Sequence, residues 1–138
     1  MTIYAYTDGA SRGNPGESGI GVILRDEKGL ILYSGGGYIG HATNNIAEYQ
    51  ALVVCLKKAR ETKCKKLIVH TDSQLLARQL QGKYRVKNIN LQKYFLEVHR
   101  LIETAQFDFE IIHIERERNR DADQLANVGI DSKRKLKV

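Results

Sequence analysis

Apolar and polar residues alternate along Ile3-Tyr4-Ala5-Tyr6-Thr7, and the alternation stops at Asp8, before a segment dense in Gly, Asn and Pro. Period-two alternation of aromatic and β-branched residues predicts a strand, and Gly9 to Gly16 predicts a loop that ends it at Asp8. Two further strands are predicted, Gly19 to Arg25 and Leu30 to Ile39, joined by a turn at Asp26-Glu27-Lys28-Gly29. The three form an antiparallel meander. Gly35-Gly36-Gly37, inside the third, marks a bulge or a point of close packing. The period then changes: Leu52, Cys55, Leu56 and Ala59 recur at three and four residues, which predicts a helix opening within His41 to Tyr49 and running to about Arg60. Asn45 is its expected N-cap. Lys65 to Asp72 is an apolar strand ending, like the first, in Thr-Asp. Because a helix intervenes, the chain returns to the sheet by a crossover, and this strand runs parallel to one already present.

The second half predicts a short helix at Leu75 to Leu80, a connection at Gln81 to Arg85, and a longer helix at Asn90 to Thr104. Leu91, Tyr94, Phe95, Val98, Leu101 and Ile102 form the apolar stripe of the longer one. Phe107 to Ile114 alternates as a last strand, Glu115 to Arg118 reads as a charged connection, and Asn119 reads as the cap of a final helix. The acids of that helix's first turn suit the macrodipole, which accounts for Asp121 but leaves Asp123 open.

At 138 residues, with 42% hydrophobic and 28% charged residues, the composition fits one globular domain over residues 1–138, with a basic tail from about residue 131. The formal charge of +6 favours a polyanionic partner. It is unevenly spread: basic residues concentrate in Lys57 to Lys66, in Arg78 to Lys93 and in Lys133-Arg134-Lys135-Leu136-Lys137. Cys55 and Cys64 have no CxxC or paired-His context, so reduced thiols are expected and neither a zinc site nor a disulfide. No leader pattern or membrane-length apolar run is present in the sequence, and a cytoplasmic protein is expected.

Four acidic residues invite a chemical reading. If the Lys65 to Asp72 strand lies beside the first, Asp8 and Asp72 emerge at one edge about 4.8 Å apart. Like charges so close are costly unless a cation bridges them. Each acid also has a plainer reading. Asp8 can start a turn, Asp72 can cap the helix after it, and Glu48, at N3 if Asn45 is the cap, can complete a capping box.

Taken together these segments resemble type 1 ribonuclease H. The resemblance rests on Thr7-Asp8-Gly9 with Gly13-Asn14-Pro15-Gly16, Thr43-Asn44-Asn45 with Glu48, Thr71-Asp72-Ser73-Gln74, and Asn119 with Ala122-Asp123-Gln124-Leu125-Ala126. It extends from the first strand to about Ile130. It implies an α/β fold of the ribonuclease H type, a mixed five-stranded sheet (the three-stranded antiparallel meander plus two parallel strands) flanked by helices. It implies further that Asp8, Glu48, Asp72 and Asp123 are the catalytic and metal-binding set, holding two Mg2+ or Mn2+ ions when substrate is bound. Asp8 would bridge both ions, Glu48 and Asp72 would hold the leaving-group ion, and Asp123 the ion on the nucleophile side. Hard oxygen donors alone suit those metals better than zinc. The implied reaction is endonucleolytic hydrolysis of the RNA strand of an RNA/DNA hybrid, with 5′-phosphate and 3′-hydroxyl products. The implied substrate contacts are Gly9, Ser11, Asn14, Thr43, Asn44, Asn45 and Gln74, with Thr43 at a DNA phosphate. The expected partner is the hybrid, with no membrane, and the expected state is a monomer.

Two features depart from many bacterial members. The connection from Gln81 to Asn88 is too short for their basic protrusion, as in archaeal-type and retroviral relatives, which leaves Lys83, Arg85, Lys87 and the basic tail as candidate grips. The segment before Asp123 also lacks a mobile histidine: His113 falls in a strand, and Arg116, Glu117 and Arg118 are the candidate substitutes. Alternatives to a hybrid-specific enzyme are a broader nuclease that also cuts double-stranded RNA, and a non-catalytic nucleic-acid-binding module. A related exonuclease or integrase is disfavoured by Thr43-Asn44-Asn45 and Gly13-Asn14-Pro15-Gly16. The presence of all four acids favours catalysis over the binding module.

Overall fold

The computed structural model describes residues 1–136. The chain runs β1 (Thr2–Arg12), β2 (Gly16–Arg25), β3 (Ile31–Ala42), α1 (Asn44–Thr62), β4 (Lys66–Thr71), α2 (Gln74–Leu80), α3 (Ile89–Thr104), β5 (Asp108–His113), a 3-10 helix (Arg116–Asn119) and α4 (Arg120–Ser132). Five strands form one sheet in the order β3-β2-β1-β4-β5. β1, β2 and β3 pair antiparallel, while β4 pairs parallel with β1 and with β5. The mixed sheet and its crossover are as expected.

β1 does not end at Asp8. Asp8 pairs with Gly21, Gly9 with Ile20, and the ladder continues to Arg12 against Glu17. Antiparallel pairing is a backbone matter, so Gly9 and Ala10 stay in the sheet despite weak strand preference. Only Gly13 to Pro15 remain as a turn, with Gly13 at φ 99°. Asp8 therefore projects from the interior of a strand. On the other side Tyr6 pairs with His70 and Thr7 with Thr71, which brings Asp8 level with Asp72. Two residue pairs below, Tyr6 stacks on His70 with ring centroids 4.5 Å apart.

The glycine run in β3 is a packing device, and the irregularities lie to either side of it, opposite Ser18/Gly19 and Leu24/Arg25. A Cβ on Gly21 would run into the Ala122 carbonyl, and one on Gly36 into that of Leu125. Bare backbone on the sheet and small Ala122, Ala126 and Gly129 on the helix let α4 lie directly against β2 and β3. α1 covers the opposite face, burying Leu52, Cys55, Leu56 and Ala59 against Ile3, Ala5, Leu67 and Val69. Truncating one such leucine to alanine costs about 2–5 kcal/mol. α3 packs outside α1 through Leu91, Val98 and Leu101.

Cys55 and Cys64 are buried free thiols. Among the described residues no helix is long and apolar enough to cross a membrane. Lys83, Arg85 and Lys87 are exposed between α2 and α3, on a connection held by side chains. Gln79 accepts from the Tyr49 hydroxyl at 2.5 Å and donates to Arg85 O at 3.4 Å, and Gln92 donates to Val86 O at 3.0 Å. The tail beyond α4 lies along the free edge of β3. Tyr38 N donates to Arg134 O at 2.7 Å, and Leu136 sits over Gly35 and Gly37. Covering an edge strand in this way blocks further pairing there. Lys137, named with the basic tail, lies outside the described residues.

Candidate active site

Three segments bring carboxylates together where β4 ends beside the middle of β1. Asp8 comes from β1 and is 4% exposed. Glu48 comes from α1, whose N-cap is Thr43 and not Asn45: Thr43 Oγ1 accepts from Ile46 N at 3.2 Å. Glu48 therefore lies beyond the first turn and completes no capping box. It is 7% exposed, and its Oε1 accepts from Gly9 N at 2.6 Å, across to β1. Gly9 is required twice, since a Cβ there would overlap the backbone of Ala47 and Glu48. Asp72 follows β4, and the cap of α2 is Ser73, whose Oγ accepts from Leu76 N at 3.1 Å, so Asp72 is free of capping.

The carboxylates of Asp8, Glu48 and Asp72 each bring an oxygen within 4.8 Å of the others. Asp123, on α4, stands outside that triad but within hydrogen-bonding reach of Asp8. At such spacing and an effective dielectric near 20, two unit charges repel by about 3–4 kcal/mol. A surface ion pair returns about 1 kcal/mol at most. Burial pushes the Asp8 carboxyl up to about 10, with the charges of Glu48 and then Asp72 adding to it. Burial likewise pushes Glu48 up to about 8, reinforced by Asp72 and opposed by the Gly9 amide and the Arg116 charge. A triad of this kind could hold a cation, which would relieve the repulsion.

Several residues that the sequence left in other roles support these acids. Asn119 has no capping hydrogen bond to α4; it is 2% exposed and donates to Thr7 O at 2.8 Å and to Asp72 Oδ2 at 3.3 Å. The segment expected as a charged connection is mostly the 3-10 helix, which splits its cations. Arg116 lines the carboxylate cleft, while Glu117 and Arg118 line a separate cavity with Tyr6 and Arg25. Asn127 donates to Asp123 O at 3.0 Å and to its Oδ1 at 3.4 Å. Its place four residues after Asp123 on one helix was the available signal. Asn119 belonged to the motif that carries the family resemblance, but its inward bonds to Thr7 and Asp72 were not legible, because a polar residue before a helix reads as a cap.

The cleft encloses about 580 Å3, and Gly9, Ser11, Asn44 and Asn45 line it beside the acids. Asn44 and Asn45 are exposed at its rim. Ser11 Oγ donates to the carbonyls of Gly13 and Ala42, and Asn14 Oδ1 accepts from Asn44 N at 3.1 Å. The hairpin turn is thereby fastened to the start of α1. Thr43 is occupied as the cap, and Gln74 is exposed at the start of α2, outside the cleft lining.

Residues 6–129 match the protein family described as reverse transcriptase-like. The chain is 40% identical over 129 residues to ribonuclease HI of Halobacterium salinarum, a match covering 94% of this chain and 64% of that protein. It is 35% identical to ribonuclease H of Methylococcus capsulatus, covering 94% of this chain and 90% of that one. The chain thus spans less than two thirds of the Halobacterium relative's length and nearly all of the Methylococcus one. Among solved structures, LC11-RNase H1 in complex with RNA/DNA hybrid has a TM-score of 0.91 at 40% identity, covering 94% of this chain and 97% of that one. RNase H1 of Halobacterium salinarum has a TM-score of 0.90 at 37% identity, covering 96% and 99%. A match over nearly the full length in both sequence and fold places this chain in the type 1 ribonuclease H family.

Proposed function

We propose that this protein is an endoribonuclease that hydrolyses the RNA strand of RNA/DNA hybrids with two divalent cations, leaving 5′-phosphate and 3′-hydroxyl ends. The observation that carries the reading is the convergence of Asp8, Glu48 and Asp72 within 4.8 Å at one end of the sheet, with Asp123 beside Asp8. Solved relatives add support, since one of them was captured with RNA/DNA hybrid.

The donor set fits hard divalent cations, because all four groups are carboxylates and the buried pair is pushed towards protonation when alone. Asp8 is close to Glu48 and Asp72 and is also influenced by Asp123, and by the family resemblance it would be shared between two ions, with Glu48 and Asp72 holding the leaving-group ion and Asp123 the other. Mg2+ or Mn2+, when bound there, supplies a lowered water pKa and stabilises charge on the departing 3′-oxygen. The remaining work belongs to the chain. Gly9 N–H fixes Glu48, the cap and turn hold Asn44 and Asn45 at the rim, and the guanidinium of Arg116 offers a cation to the phosphate backbone. Gly9, Ser11, Asn44 and Asn45 are suited to reading 2′-hydroxyls in the shallow minor groove of the hybrid. Asn14 and Thr43 bond to the start of α1 and Gln74 is exposed at the start of α2; by the family resemblance Asn14 and Gln74 would contact the hybrid and Thr43 a DNA phosphate. Exposed Lys83, Arg85 and Lys87 extend the positive surface in place of a protrusion. The reading also takes the protein as a cytoplasmic monomer.

The test presents one labelled sequence as hybrid, double-stranded RNA, single-stranded RNA and double-stranded DNA with Mg2+ or Mn2+, beside Asp8→Asn. Cutting confined to the RNA of the hybrid and lost in the variant is the expected result. Cutting of double-stranded RNA as well would broaden the specificity, and no metal-dependent cutting at all would reject the reading.

A further inference from the structure

Each acid outside β1 receives its own orienting hydrogen bond. Glu48 accepts from Gly9 N and Asp123 from Asn127 Nδ2. For Asp72, the hydrogen bond among the described residues comes from Asn119 Nδ2. Asp72 lies just past the end of β4, and Ser73 beside it is committed to capping α2. Asn119 meets this need against its own local preference. At the N-cap of α4 its short amide is suited to bond the first turn, yet the side chain turns inward and leaves α4 without a side-chain cap. Inside the protein its Oδ1 has no partner, one of two such orphaned buried side-chain atoms among the described residues, the other being Thr7 Oγ1. An unpaired buried amide oxygen is destabilising. Helix capping and hydrogen-bond satisfaction are both given up for two donated bonds, one to the strand that carries Asp8 and one to Asp72.

We propose that Asn119 is a positioning residue: it orients the Asp72 carboxylate towards Asp8 and Glu48 for cation binding and fastens the start of α4 to β1. The inference rests on the metal-dependent reading above. A group that orients a ligand acts on metal affinity, and loss of such a group typically weakens binding about 10–100-fold.

The informative variant is Asn119→Ser. Serine is a good N-cap, so folding is supported, but its hydroxyl is too short to take the place of the donated amide bond to Asp72. Titration of wild type and variant with Mg2+ by calorimetry, without nucleic acid, gives the metal affinity directly. Expected are a folded variant with a melting temperature near or somewhat below wild type, an Mg2+ dissociation constant about tenfold or more higher, and hybrid cleavage that recovers as Mg2+ is raised. A purely structural Asn119 predicts an unchanged Mg2+ dissociation constant, and that result overturns the proposal whether or not the melting temperature moves. Asn119→Ala, which can neither cap nor donate, should show the same affinity loss with a lower melting temperature. If wild type takes up no Mg2+ and cuts no hybrid, the reading of the site itself fails; if wild type does both and the variants match it in affinity, only the role of Asn119 fails.

Discussion

On the wall of the cleft, Asp8 and Glu48 are buried beside each other and driven towards protonation, whereas on its rim Ser11, Asn14 and Thr43 hydrogen-bond the backbone around them. Both sides come from β1, the turn after it and the start of α1. The wall opposes folding while no cation is bound, and the rim contributes to it. Stability and function should therefore respond in opposite senses at the wall and in the same sense at much of the rim.

The largest effect tests the wall. Asp8→Asn should lower hybrid cleavage by about 1000-fold. It should also raise the melting temperature of the metal-free protein by about 5 °C, because a neutral amide replaces a carboxyl that must take up a proton to be buried beside Glu48 and Asp72. Calorimetric scans in chelator check the second half; a lower melting temperature would mean that Asp8 supports the fold and would dissolve the contrast. Gly9→Ala is next, and it strikes where wall and rim join. The added Cβ must push the α1 backbone at Ala47 and Glu48 away from β1. Destabilisation of about 2 kcal/mol and loss of cleavage of about 100-fold are expected, from urea melts and initial rates.

The contrast also explains what could be read from the chain alone. Alternation and helical spacing placed every strand and main helix, because the sheet faces and the α1 stripe bury apolar side chains at those periods. The matching Thr-Asp endings put Asp8 and Asp72 side by side, since parallel register carries a repeated pattern to the same edge. Misplaced features were those decided by tertiary partners. β1 outran its own composition because β2 paired with it, and Asn119 turned inward because Thr7 O and Asp72 lay behind it. At the start of α1, Thr43 and Asn45 are both good caps, and the sequence alone favoured the wrong one.

A smaller, graded effect comes from pH. The Glu48 carboxyl rises from 4.5 to about 8 on folding and Asp8 from 3.8 to about 10. The folded state thus holds protons that the unfolded state has released, so the stability from these groups is full below about pH 4 and falls as pH climbs through the window up to about 8–10. Melting temperatures of the metal-free protein should decline from about pH 5 to about pH 8, more steeply in wild type than in Asp8→Asn. Saturating Mg2+ should stabilise the protein increasingly over the same range, because metal competes with those protons. A metal response independent of pH would show that the cation binds elsewhere.

The smallest effect separates two neighbours on the rim. Thr43 caps α1 through Ile46 N, whereas the exposed Asn45 lies within the helix and lines the cleft. Thr43→Ala should cost about 1 kcal/mol in urea melts, the usual value of a cap. Asn45→Ala should leave stability within about 0.5 kcal/mol, since alanine is the better helix former and no cap is lost. Their order should reverse in hybrid binding measured without turnover, where Asn45→Ala removes an amide that the proposed function assigns to the minor groove and should weaken affinity several-fold. Equal losses of stability from the two variants would return the cap to Asn45, and with it Glu48 to the third helical position, where a capping box would again suffice to explain a carboxylate.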